Sequence, residues 1–189
     1  GPAAGHARLK TADDPTGRLV QGTLNNCGGG MTPWGTTLHA EENFNVYFDG
    51  KVKDDEAAAR LARYHIPAPR TYSWAQYDSR FDLSVNPNEA NRYGWIVELD
   101  PTDPKSIPRK RTALGRFKHE GAQCIQNKDG RVVVYMGDDQ RFDYVYRFVS
   151  EKAVNPRDRK ANFDLLDHGT LSVARFNDDG SLDWLPLVF

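Results

Sequence analysis

Apolar and polar residues alternate with a period of two over much of the chain, the signature of half-buried strands. Three runs share one pattern: YGWIVELD (93–100), DYVYRFVS (143–150) and TLSVARFND (170–178), each followed by a turn-forming segment. A more continuously apolar run, GRVVVYMGDDQ (130–140), reads as a buried strand ending in two acids and an amide. RLVQGTL (18–24) and TPWGTTLHAEEN (32–43) read as two further short strands. Only KDDEAAARLARYH (53–65) has helical character, with Asp54 and Asp55 in its first turn and Arg60 and Arg63 in its last. Residues 66–92, with prolines at 67, 69 and 87, read as a long connection lying outside the strands.

The strands suggest a recurring unit. A strand ends in paired acids and an amide, Glu41-Glu42-Asn43 or Asp138-Asp139-Gln140, and an amphipathic strand follows. Such antiparallel repeats predict an all-β fold, a partial β-propeller of two to three blades with one short helical insertion, spanning residues 1–189 as one domain. Roughly eight to ten strands do not close a ring that needs at least four blades. The expectation is therefore a piece of a larger propeller, with a plain sandwich as the alternative. On that expectation the final run, LDWLPLVF, is an edge whose Trp184, Leu185, Leu187, Val188 and Phe189 lack part of their cover.

Composition narrows the function classes. Twenty-five basic residues against 26 acidic ones leave a net charge of -1, without the basic excess of a nucleic-acid binder. No apolar run reaches membrane-spanning length. GPAAGHARLKT has neither the apolar core nor the charged leader of a signal peptide, and it starts without Met, as a processed chain would. The two cysteines, Cys27 and Cys124, are weak grounds for a disulfide framework. HExxH, P-loop, GxSxG and CxxC patterns are all missing, and no catalytic side chain stands out.

The candidate chemistry lies in LNNCGGGMTPWGTTLHAEEN (24–43). Cys27 precedes three glycines and two glutamates, which fits either a tight turn with an inert thiol or the first half of a metal site. Glycines allow the backbone to approach an ion closely, and paired carboxylates repel unless a cation sits between them. Neighbours on a strand point to opposite faces, so one acid of each pair should face a shared site. His119-Glu120 before Gly121 offers a third acidic position, whereas Asp167 and His168 read as turn residues ahead of a strand.

Five collinear segments, GTLNNCGGGMTPWGTTLHAEENF, YGWIVELDPTDP, LGRFKHEGA, VVVYMGDDQRFDYVYRFVS and HGTLSVARFNDDGSLDWLPL, resemble the PhoX-type alkaline phosphatases over nearly the whole chain. The resemblance implies a β-propeller, periplasmic or extracellular, that cleaves phosphomonoesters with a cluster of Fe3+ and Ca2+. It carries iron ligation onto Cys27 and metal ligation onto Glu41 or Glu42, Glu120, Asp138 and Asp139. Family members are several times longer. The phosphate-gripping arginine and later ligands are thus expected beyond Phe189, and the implied partners are small phosphate esters and the remaining polypeptide. A calcium-stabilised binding module without catalysis is the competing implication.

Overall fold

A computed structural model describes residues 1–188. Two antiparallel sheets dominate it, each with strands in sequence order. The first contains β1 (Asn26–Met31), β2 (Thr37–Glu41), β3 (Ile96–Leu99) and β4 (Arg109–Lys110). The second contains β5 (Gln123–Gln126), β6 (Arg131–Gly137), β7 (Val145–Ala153), β8 (Gly169–Phe176) and β9 (Leu182–Pro186). The sheets have four and five strands, and no closed barrel occurs among the described residues.

The second sheet follows from its sequence most directly. Val132, Val133, Val134 and Met136 bury β6 on both faces, as its unbroken apolar run requires of a central strand. The hairpins joining β5 to β6 and β8 to β9 use the same Asn-x-Asp-Gly turn. Gly130 and Gly180 donate to the carbonyls of Asn127 and Asn177 at 2.9 and 3.0 Å, with φ of 84° and 80°.

Leu38, Ile96, Phe117, Val134, Phe148 and Leu166 pack in the core that joins the sheets. Two arginines, exposed Arg159 and buried Arg111, pin one side of this junction. Arg159 holds both oxygens of Asp100 at 2.7 Å and donates to the Trp34 carbonyl at 2.7 Å. Arg111 pairs with Glu98 at 2.6 Å and Asp167 at 2.7 Å, and also donates to the Phe163 carbonyl. Asp167 is thus a structural ion-pair partner, as its place in a turn suggests.

Three local expectations change. Residues 18–24 have no regular structure and belong to no sheet. Side chains satisfy their backbone instead: Arg92 reaches the Leu19 carbonyl, Tyr93 donates to the Gln21 carbonyl at 3.1 Å, and Glu41 accepts from the Leu24 amide at 3.0 Å. The helix is shorter, α1 (Asp55–Ala62), capped by Asp54 accepting from the Ala57 amide at 2.6 Å. Residues 66–92 add no strand to either sheet, as expected, but they are not a loose excursion. Ile66, Phe81, Leu83 and Ala90 pack with Phe44, Phe48 and Tyr93 into a second core beside the first sheet. Prolines and 3-10 turns hid this core because its apolar residues follow no single period.

The final edge is as open as expected. Leu185 is 39% exposed and Val188 84%, while Trp184 is half-buried, with its ring near Tyr135 and beneath Arg147. Phe189 lies outside the described residues.

Candidate metal centre

The three glycines are part of β1, not of a turn. A side chain on Gly28 would place Cβ 2.6 Å from the Glu120 carbonyl oxygen, and one on Gly30 would place it 2.0 Å from that of Ala122. The free edge of β1 can therefore approach the segment entering β5, and the Gly28 amide donates to the Glu120 carbonyl at 2.8 Å. The glycines bring two backbones together. That contact places Cys27 next to Glu120 although the residues are far apart in sequence.

A local irregularity aims the thiol. Pairing between β1 and β2 shifts between Asn26 and Gly29, so Cys27 and Gly28 form a bulge, which reorients side chains relative to a regular ladder. Asn25, at φ 49°, accepts from the Glu42 amide at its carbonyl (3.1 Å) and from the Asn43 amide at its side chain (3.3 Å). This clamp turns the end of β2 back towards Cys27.

The acid pairs divide as strand alternation demands. Glu41 is fully buried and faces inward. Its Oε1 accepts from Thr23 at 2.8 Å, the Leu24 amide at 3.0 Å and Lys110 at 2.8 Å; its Oε2 accepts from the Gly94 and Trp95 amides at 3.0 and 3.1 Å. Five donors saturate this carboxylate. The expectation left Glu41 or Glu42 as the ligand; here both oxygens of Glu41 are occupied within the fold. Glu42, half-buried, takes the outward position, with Cys27 and Asp139 as its neighbours.

Asp138 and Asp139 split in the same way. Asp138 Oδ1 accepts from the Lys118 and Gln140 amides at 3.3 and 3.0 Å, which caps the turn after β6. Asp139 is exposed beside Glu42, its amide donating to the Lys118 carbonyl at 3.0 Å. Glu120 is exposed next to Cys27, whereas His119 is buried against Phe117 and its Nε2 donates to the Gly115 carbonyl at 3.0 Å. Burial pushes His119 down to about 3, so it is a neutral core residue.

Cys27, Glu42, Asp139 and Glu120 thus share one patch of surface. Loss of hydration, then the charges of Glu42 and Glu120, push the Cys27 thiol up. Loss of hydration, then the hydrogen bond and charge of Asp139, push Glu42 up. Carboxylates gathered around a thiol form a site short of positive charge, and thiolate with carboxylates suits a transition metal with a harder cation alongside. The donor set fits such ions. The patch is open: among the described residues, no three His, Cys, Asp or Glu side chains are closed into ligating geometry.

Two cations flank the acids and were not apparent from sequence. Lys118, almost fully buried, lies within the fields of Asp138, Asp139 and Glu42 and donates to Gln140 Oε1 at 2.7 Å. Arg63, just past α1, grips Asp143 with two bonds at 3.0 and 3.2 Å. Lys118 sits in the GRFKHEGA segment, but nothing in its spacing announces that it folds over the acids. Cys124 is buried in the core and both cysteines are free, so no disulfide forms.

The family described as alkaline phosphatase PhoX matches residues 1–189. The chain belongs to the PhoX family. It is similar to the structure of Pseudomonas fluorescens PhoX in complex with vanadate, a transition state analogue, with 50% identity and a TM-score of 0.93. The similarity covers 100% of this chain and 34% of that one, so the chain spans about a third of that relative's length. No curated protein matches the chain. Among the described residues, no helix is long and apolar enough to cross a membrane.

Proposed function

We propose that the chain is part of a metal-dependent phosphomonoester hydrolase of the PhoX type, with its two sheets serving as blades of a β-propeller. The observation that carries this reading is the convergence of Cys27, Glu42, Asp139 and Glu120 from separate elements onto one cation-deficient patch. Membership of PhoX and the likeness to a relative bound to a transition-state analogue support it. The proposed cofactor is Fe3+ with Ca2+, and the proposed location is periplasmic or extracellular.

In this reading Cys27, Glu42, Asp139 and Glu120 hold the metals, while Asp138 orients the turn through the Lys118 and Gln140 amides. When bound, the metals draw charge from phosphate oxygens and offset the negative charge that develops there. Cys27 must lose its proton to ligate, and a nearby cation reverses the carboxylate field that otherwise holds that proton. Lys118 offsets part of the acids' charge and keeps the turn in register through Gln140. The remaining polypeptide would complete the metal site, and small phosphate esters would be the substrates.

Purified full-length protein tests this by elemental analysis and by a chromogenic phosphate-ester assay with and without chelator. Iron bound to a thiolate should give a visible absorption band. Cys27→Ser should bleach the band and reduce turnover far more than Cys124→Ser. Equal effects from the two variants, or turnover indifferent to chelation, would overturn the reading.

A further inference from the structure

The turn that carries Asp138 and Asp139 also carries a residue that the metal site does not use. Phe142 adopts φ 69°, in the left-handed region, where a bulky side chain is a strained outlier. Its ring is 90% exposed, and its close aromatic-range neighbour is the Arg141 guanidinium, 5.2 Å from the ring centroid. Neither the backbone strain nor the exposed ring stabilises the fold.

The turn is held firmly from several sides. The Asp138 amide donates to the Tyr144 carbonyl at 3.1 Å, and the Asp143 amide to the Gln140 carbonyl at 2.9 Å. Lys118 holds Gln140, and Arg63 holds Asp143. A costly conformation fixed by its surroundings is a mark of a working position. Phe142 lies three residues beyond Asp139, within about 11 Å of chain reach.

We propose that Phe142 is a specificity-determining residue, packing its ring against the organic group of the ester with Arg141 beside it, and that this favours phosphomonoesters of aromatic or planar alcohols. An aromatic ring paired with a cation suits a planar group tethered to a phosphate dianion. The proposal rests on the phosphomonoesterase reading and deepens it.

The test uses the full-length enzyme loaded with metal, with phosphate release measured for para-nitrophenyl phosphate and for glycerol phosphate. The readout is the ratio of the two kcat/KM values. Phe142→Ala should lower that ratio about tenfold, mainly through KM for the aryl ester. Phe142→Tyr should keep it. Phe142→Gly should raise the Tm by relieving the strain while still losing the preference, a combination that a purely structural role would not produce. A ratio within twofold of wild type in Phe142→Ala would overturn the proposal. So would equal losses on both esters with a lowered Tm, since the ring would then be covered by other polypeptide. A wild-type enzyme that releases phosphate from neither ester would overturn the hydrolase reading itself, and this proposal with it.

Discussion

Gly28→Ala tests the contact on which the candidate centre depends. The added Cβ would lie 2.6 Å from the Glu120 carbonyl oxygen, a backbone atom that no side-chain rotation can move. Ordinary contact begins near 3.4 Å, so β1 and the 120–122 segment must part by about 0.8 Å. The Gly28 amide now donates to that carbonyl at 2.8 Å. The same displacement stretches the bond to about 3.6 Å, which is no longer a hydrogen bond. Losing it costs about 1 kcal/mol and the overpacking about 1–3 kcal/mol more. The expected total is about 2–4 kcal/mol, large against a whole-domain stability of about 5–15 kcal/mol. Denaturant unfolding of the metal-free protein measures it, with Gly121→Ala as the control, because a Cβ there meets nothing within 4 Å. Metal titration of the folded variant should show weaker binding, since Cys27 and Glu120 are forced apart. Equal unfolding midpoints for the two variants would refute the close-approach argument.

Other outcomes follow from the division of the acid pairs. Glu41→Gln should destabilise by about 3–5 kcal/mol, seen in unfolding curves, because buried Lys110 loses its counter-charge. Any folded fraction of that variant should still bind metal. Glu42→Gln should do the reverse in the metal-free protein at neutral pH. The raised pKa means that the folded state prefers protonated Glu42, so its stabilising share exists in acid and is lost as pH rises through the folded pKa. A neutral side chain should therefore raise the neutral-pH melting temperature while weakening metal binding. His119, lowered from 6.5 to about 3, stabilises the fold above its unfolded pKa. That share should fade as pH falls from 6.5 towards 3, at up to about 1.4 kcal/mol per pH unit, and His119→Gln should flatten this part of the pH–stability curve.

Strand periodicity located β3, β6, β7 and β8 because each buries one or both faces of a regular ladder. It missed β1, since Asn-Cys-Gly-Gly-Gly has no apolar pattern and is selected by backbone proximity. The resemblance pointed to the segments that meet in the candidate centre, and alternation anticipated that the two acids of each pair would part. Which acid does so depends on partners distant in sequence: Lys110 and the Gly94 amide claim Glu41, and the Lys118 amide claims Asp138. Lys118 and Arg63 show no local signal for the same reason. The second core was illegible because Phe44, Ile66, Phe81 and Tyr93 are gathered by turns of irregular spacing.

The meander order of the sheets has a kinetic consequence. Every strand of the second sheet pairs with its neighbour in the chain, the longest break being residues 154–168. In the first sheet, β2 must wait for β3 across the whole of 42–95. Closing a longer loop costs more entropy before any contact repays it, and non-local pairing slows folding. The second sheet should therefore form early and template the first, once the 44–93 segment has condensed. Glu120 and Asp139 flank strands of the early half, whereas Cys27 and Glu42 arrive with the late one. The folding chain would thus hold Cys27 and Glu42 apart from Glu120 and Asp139 until the last step, limiting premature capture of the wrong cation.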